Sequence, residues 1–176
     1  EEYIIPTLGV WDSFDDIDFD ALPEQFVLKC THDSGGIVIV DDKAKMNRST
    51  AKRKLNKHLR RNLYRYGREW VYKDVPPRLI AEKYLGGNLS DYKFFCFSGE
   101  PRYCQVIADR FKGATIDFFD MNWTHQEFIG LNTEATEFNN STTPIPCPKN
   151  FELMKKLAAK LAKDTCFRRI DFYEID

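Results

Sequence analysis

A lysine and a glycine-rich turn are the residues of this 176-residue chain that most directly suggest a chemistry. Lys29 ends a strand-like apolar stretch, and the loop Asp33, Ser34, Gly35 and Gly36 follows it before a second apolar stretch. A lysine ammonium and the backbone N–H groups of a small-residue loop could together hold a polyphosphate. The same residues also fit an ordinary hairpin, in which the glycines supply positive φ and the lysine is merely solvated.

Two pairs of charged residues are spaced by two positions in strand-like stretches further along the chain. Side chains at this spacing lie on the same face of a strand. Asp91 and Lys93 therefore share a face with Phe95, and Arg169 shares a face with Asp171. The nearest alternative for Lys93 is a cross-strand ion pair worth less than about 1 kcal/mol.

Alternating apolar residues and turn residues predict the strands that must position these side chains. Two hairpins are expected, one over residues 26–40 and one over residues 91–108, with strands also at 78–85, 116–120 and 167–175. Residues 3–10 are expected to be extended, and residues 122–148 to form a long loop or flap. Strand pairs interleaved with helices predict an α+β fold with antiparallel sheets and helices packed on one side.

Apolar residues at helical spacing predict two helices. The first helix is expected to begin at the N-cap Ser49-Thr50 and to end at Gly67. The second is expected to be capped by Asn150. The expected buried stripes are Ala51, Leu55, Leu59 and Leu63 in the first helix, and Phe151, Met154, Leu157, Ala158 and Leu161 in the second.

Composition narrows the class of protein. No apolar run approaches the roughly 20 residues of a membrane span. The five cysteines are scattered without metal or redox spacing, which indicates reduced thiols and favours the cytoplasm.

Residues 43–73 carry twelve bases and one acid. Such a segment suits an anionic polymer or nucleotide phosphates, but a solvated helix face is the favoured interpretation, and no nucleic-acid partner is expected.

The order of the segments resembles the ATP-grasp superfamily: lysine strand, glycine turn, helix, Glu82 to Leu85, Asp91 with Lys93, and Arg169 with Asp171. The amino-acid sequences of four segments are similar to the TupA-like branch of this superfamily, which is named after teichuronopeptide biosynthesis. These segments are residues 3–9, 26–29, 32–36 and 91–95. The resemblance implies one ATP-grasp-like domain over residues 1–176. It would have a lysine and glycine-loop lobe at about 20–80 and a hinge and metal lobe at 81–176, around a nucleotide cleft.

The resemblance also implies ATP and Mg²⁺ as cofactors and a role for each candidate residue. Lys29 would contact the α- and β-phosphates, and the loop from Asp33 to Gly36 would cover the phosphates. The remaining nucleotide contacts would be the hinge residues Glu82, Lys83, Tyr84 and Leu85 at the adenine and Asp91 at the ribose.

Three residues would serve catalysis in such a protein. Asp171 would bind Mg²⁺, for which a carboxylate is a hard oxygen ligand. Arg169 would steady the transferred phosphoryl group, and Lys93 would reach the phosphates or the acceptor. Asp109 and Arg110 are further candidates for the acceptor pocket, although a surface ion pair is the simpler interpretation.

The function implied is an ATP-dependent carboxylate–amine ligase that forms an acyl phosphate, with sugar-derived substrates in capsule or cell-wall polymer assembly. The alternatives are an ATP-dependent sugar or lipid kinase and a non-catalytic module that binds an anionic polymer. The family's second metal-binding strand and its N-terminal lobe have no counterpart in these residues. We therefore expect a chain truncated at both ends, with weak nucleotide binding and weak catalysis by these residues alone.

Overall fold

The computed structural model describes residues 2–87, 89–108, 113–128, 130 and 138–175. It is an α+β fold with two antiparallel sheets, as the sequence predicts. The chain divides into two compact units, Glu1–Tyr84 and Leu85–Asp176, which are described separately below.

The first unit is a four-stranded antiparallel sheet with its first helix packed on one side. The strands are β1 (Thr7–Trp11), β2 (Phe26–Cys30), β3 (Ile37–Val40) and β4 (Leu79–Lys83), in the order β1-β4-β2-β3. Phe26, Leu28 and Cys30 alternate inward from β2 and are buried with Leu55 of the first helix. This alternation leaves Val27 and Lys29 on the opposite face.

The basic stretch forms two helices rather than the single helix expected. Helix α1 spans Arg48–Leu59 and helix α2 spans Leu63–Gly67. The N-cap of α1 is Asn47, whose side chain accepts a hydrogen bond from the Thr50 amide at 2.9 Å, so the prediction of a cap at Ser49-Thr50 was wrong. The break occurs because the Asn62 side chain accepts from the Arg65 amide and thereby starts a new helix.

The second unit is a five-stranded antiparallel sheet covered on one side by a helix. Its strands are β5 (Asp91–Phe97), β6 (Glu100–Ala108), β7 (Thr115–Asp120), β8 (His125–Gln126) and β9 (Phe167–Tyr173), in the order β8-β7-β6-β5-β9. Strand β8 falls in the region that the sequence predicted to be a loop or flap.

Helix α3, Phe151–Ala162, packs on this sheet through a narrower stripe than the sequence predicts. Phe151, Met154 and Ala158 are buried as expected, but Leu161 is 50% exposed and Ala162 takes the last buried position. Asn150 is the N-cap residue but makes no capping hydrogen bond with its side chain. Its side-chain Nδ2 donates to Glu174 Oε1 at 3.1 Å.

None of the helices within the described ranges is long and apolar enough to cross a membrane.

Candidate functional site

Lys29 and Glu82 meet on the sheet face of the first unit that is opposite α1. In the antiparallel register of β2 and β4, Lys29 lies opposite Ile80 and Val27 lies opposite Glu82. Lys29 and Glu82 are therefore diagonal neighbours, and the Lys29 ammonium donates to the Glu82 carboxylate. Their side chains remain 33% and 19% exposed, so both groups can reach a ligand on this face.

The glycine loop is fixed to helix α1 by a buried contact between Asp33 and His58. Asp33 is buried, and its Oδ2 accepts from His58 Nδ1, while Oδ1 accepts from the Gly35 amide at 3.4 Å. Ser34 and Gly35 are exposed, whereas Gly36 is buried. The loop therefore presents only its tip to solvent.

Close packing, rather than backbone conformation, explains the two loop glycines. Neither Gly35 nor Gly36 has a positive φ, so the alternative of a hairpin turn that needs one is wrong. A Cβ on Gly36 would lie 2.6 Å from Cys30 Sγ and 2.8 Å from His58 Cβ. A Cβ on Gly35 would lie 2.9 Å from His58 Cε1. Glycine is the residue that lets the loop approach α1 this closely.

The pKa of Asp33 depends on its contacts with His58 and the Gly35 amide. Burial raises the pKa of Asp33, but the hydrogen bonds from His58 and from the Gly35 amide outweigh burial, and the net pKa is lowered. Asp33 is therefore ionised at neutral pH and acts as an anion bound within its own loop. In this structure the Gly35 amide faces that carboxylate, so an incoming phosphate would compete with Asp33 for this donor.

His58 was missed by the sequence predictions, although a signal for it exists. It lies three residues after Leu55, which is fully buried, and seven after Ala51, so helical spacing puts it on the packed face of α1. A histidine on such a face needs a polar partner. Asp33 provides that partner, 25 residues away in the sequence.

The predicted hinge residues lie where the two units meet in the sequence. Lys83 ends β4, and its amide donates to the Pro6 carbonyl at 2.9 Å. Tyr84 is the last residue of the first unit and Leu85 the first of the second. Lys83 and Tyr84 also line an open depression of about 730 Å³ in the first unit, together with Leu8.

Three of the five predicted site residues of the second unit form one ion cluster. Lys93 on β5 lies directly opposite Asp171 on β9, and Lys93 Nζ donates to Asp171 Oδ2 at 2.5 Å. Arg169 approaches the same carboxylate with Nε at 2.8 Å from Oδ1 and Nη2 at 3.1 Å from Oδ2. Period two places this cluster on the face opposite α3, because the intervening Phe94 and Ile170 pack in the core under that helix.

Asp91 occupies the same face of β5 but is set deeper. It lies opposite Tyr173 and is 3% exposed, against 12% for the side chain of Lys93. The predicted grouping of Asp91, Lys93 and Phe95 on one face is confirmed by the register with β9. Of the predicted residues in this unit, Asp91 is the least accessible to a ligand.

The pKa of Asp171 is lowered despite partial burial. Burial raises it, but the hydrogen bonds from Arg169 and Lys93 have the larger combined effect. The ion pair of Lys93 that the sequence left as an alternative is thus present. Asp171 is an ionised oxygen donor of the kind that Mg²⁺ binds. Within the described residues, no group of three or more histidine, cysteine, aspartate or glutamate side chains is arranged to hold a metal ion.

A further buried aspartate, Asp117, was missed by sequence reasoning. Asp117 on β7 is 1% exposed, and its carboxylate accepts from His125 Nε2 at 2.9 Å, from the Asn140 amide group at 3.2 Å and from the Ser141 backbone amide at 3.0 Å. It therefore fixes residues 140–141 to the sheet. The signal was an acid flanked by the apolar residues Ile116 and Phe118 inside β7. The further candidates Asp109 and Arg110 lie outside the described residues.

Comparison with known proteins confirms the expected resemblance. The sequence model described as TupA-like ATPgrasp matches residues 1–176, the whole chain. No curated protein and no solved structure is similar enough to give a match.

Proposed function

Because this chain belongs to the TupA-like ATPgrasp family, we propose that it binds ATP with Mg²⁺ and joins a carboxylate to an amine. One observation carries the proposal. In each unit, charged residues that the family resemblance singles out converge on the sheet face opposite the packed helix. These are Lys29 with Glu82 in the first unit, and Lys93 with Arg169 and Asp171 in the second.

The first unit, with the adjoining Leu85, would bind the phosphates and the base of the nucleotide. Lys29 offers a cation to the phosphates. The amides of Ser34 and Gly35 at the exposed tip of the glycine loop would offer dipoles to the same group, where a phosphate competes with Asp33 for the Gly35 amide. Glu82 would accept from the adenine amino group once Lys29 turns to the phosphates, and Lys83, Tyr84 and Leu85 would offer backbone groups to the base. The present Lys29–Glu82 pair fits this role, because each side chain holds the other beside the open face.

The second unit would bind the metal and the reacting groups. Asp171 supplies one ionised carboxylate to Mg²⁺, and Asp91 would accept from the ribose hydroxyls. Magnesium, when bound, would offset the charge of the terminal phosphates. Arg169 and Lys93, now paired with Asp171, are the cations that would stabilise charge on the transferred phosphoryl group.

The reaction proceeds in two balanced steps. A carboxylate oxygen of the first substrate attacks the γ-phosphorus, the bond to ADP breaks, and an acyl phosphate forms. The amine then attacks the acyl carbon, inorganic phosphate leaves, and the nitrogen loses a proton as the amide forms. Catalysis consists of positioning and charge stabilisation, so no side-chain nucleophile is needed. We propose sugar-derived substrates from capsule or cell-wall polymer assembly for this reaction.

The nucleotide part of the proposal is tested with Lys29→Ala. The matched control is Lys52→Ala, which also removes a lysine paired with a carboxylate of the first unit, that of Asp15. Calorimetric titration with MgATP should show affinity weaker by roughly 10–100-fold for Lys29→Ala, since a hydrogen bond to a charged group contributes about 1.5–3 kcal/mol. Equal affinities of the two variants would refute the role of Lys29.

Product analysis tests the ligase reaction separately. Incubation with ATP, candidate carboxylates and amines should release ADP and inorganic phosphate and produce an amide. Phosphate retained on a hydroxyl acceptor would instead identify a sugar or lipid kinase. Binding of an acidic polymer that is insensitive to Lys29→Ala, with no ATP binding, would identify a non-catalytic module.

A further inference from the structure

Three large apolar side chains are exposed within one short segment of the first unit. Tyr66, Trp70 and Val71 have exposed fractions of 82%, 71% and 73%. They belong to the segment of residues 60–73, which comprises α2 and a following turn of 3₁₀ helix and is here called the aromatic–basic segment. The proposed binding of ATP uses none of these side chains.

The aromatic–basic segment is held together by its own ring contacts. The rings of Tyr64 and Trp70 are 5.6 Å apart between centroids. Arg68 lies over the Tyr64 ring at 5.4 Å, and Lys73 lies over the Trp70 ring at 4.5 Å. Cation–π contacts of this kind keep the aromatic rings beside positive charge.

The charge of the segment is strongly positive. Its five bases face one acid, Glu69, although the whole chain has a formal net charge of -1. The bases are Arg60, Arg61, Arg65, Arg68 and Lys73, and all of them are exposed. The segment is therefore complementary to a surface that is both anionic and able to accept apolar groups.

We propose that the aromatic–basic segment binds the protein to the surface of an anionic lipid bilayer. Tryptophan and tyrosine favour the interface between headgroups and hydrocarbon, because their rings are apolar and their N–H or O–H groups are polar. Each lysine or arginine near such a surface adds attraction to the anionic headgroups. Trp70 and Val71 enter the interface, and the neighbouring bases pair with lipid phosphates and carboxylates.

A lipid surface suits these residues better than a hydrated polyanion. An acidic polymer or a nucleic acid would satisfy the bases but would leave the aliphatic Val71 in water. Lys73 also covers one face of the Trp70 ring, which reduces the area on which a base or sugar could stack. Of these three surfaces, only a bilayer uses both the charge and the exposed apolar groups.

Vesicle co-sedimentation of the full chain tests the proposal. The probes are vesicles of phosphatidylcholine alone and vesicles that also contain phosphatidylserine. We expect binding to the anionic vesicles that weakens with added salt. Trp70→Ala combined with Val71→Ser should reduce the partition coefficient roughly tenfold or more. Ile4→Ser is the matched control, because Ile4 is 69% exposed but lies outside the segment.

A second variant separates charge from apolar insertion. Arg60→Gln combined with Arg65→Gln should reduce binding to anionic vesicles by about 25-fold, at about fivefold for each base. MgATP affinity should stay unchanged in all of these variants, so failure here is distinguishable from failure of the proposed function. Equal binding to both vesicle types would overturn the proposal. Vesicle binding that is unchanged by Trp70→Ala with Val71→Ser would also overturn it. RNA binding or dimer formation by the chain, without vesicle binding, would do the same.

Discussion

Replacing Asp33 by alanine should destabilise the first unit, because it breaks the buried hydrogen bond that fixes the glycine loop to α1. The side chains of Asp33 and His58 are only 4% and 11% exposed. Loss of a hydrogen bond to a charged group costs about 1.5–3 kcal/mol. Small domains are stable by about 5–15 kcal/mol in total. Asp33→Ala should therefore remove a measurable share of the stability of this unit.

Asp15→Ala is the matched control for this substitution. Asp15 pairs with Lys52 from the same helix, α1, but the two side chains are 68% and 42% exposed. Solvent screens such a pair, and its loss costs about 1 kcal/mol or less. The same chemical change should thus have very different effects at the two positions, and burial is the physical reason.

Amide hydrogen exchange followed by mass spectrometry measures the two effects within one unit. Peptides from β2 and α1 report on the first unit, and peptides from β5 and α3 serve as the internal reference. Protection of the β2 amides should fall far more in Asp33→Ala than in Asp15→Ala. Equal loss of protection in the two variants would refute the reasoning that the buried pair carries this energy.

The same pair predicts how the difference depends on pH. Because folding lowers the pKa of Asp33, its contribution is fully present above its unfolded pKa of about 3.9 and is lost as the pH falls through the folded value. The stability difference between the wild type and Asp33→Ala should therefore shrink below about pH 4. A constant difference down to strongly acidic pH would contradict the assignment of the lowered pKa.

Two further substitutions test packing and charge. Gly36→Ala should lower the free energy of unfolding by about 1–3 kcal/mol in thermal melting, because the added Cβ would lie 2.6 Å from Cys30 Sγ. Gly67→Ala is the control and should be neutral or stabilising, because the nearest neighbour of its added Cβ would be 3.5 Å away. Unchanged stability of Gly36→Ala would show that the loop is not held close to α1. Lys93→Met should raise the pKa of Asp171 toward its ordinary value in an NMR titration of the carboxyl carbon, and an unmoved pKa would show that Lys93 does not stabilise that carboxylate.

Much of the fold follows from local signals in the sequence. The hairpin strands β2 and β3, and β5 and β6, were predicted because alternation and turn residues act over a few neighbours. The helix boundaries were less predictable. Asn47 and Asn62 cap the two basic helices, and the apolar spacing continued across the break between them. Apolar spacing alone carries no information about which of several polar residues will cap a helix.

The partners within the site depended on contacts that are distant in the sequence. Two-residue spacing placed Arg169 and Asp171 on one strand face. The order of the segments indicated the family that the sequence comparison found. Spacing did not show that Lys93 would pair with Asp171, which lies on the neighbouring strand but 78 residues away in the sequence. It also did not show that His58 would fill the space left by the loop glycines.

The sequence by itself determined the kinds of chemical group available and the family to which they belong, because both depend on residue type and order. Only the tertiary structure decided that Lys29 pairs with Glu82, that Asp33 is a buried anion, and that Trp70 remains exposed beside bases. The physical reason is that strand register and helix packing are set by the whole core. A shift of one residue in β2 would turn Lys29 to the opposite face.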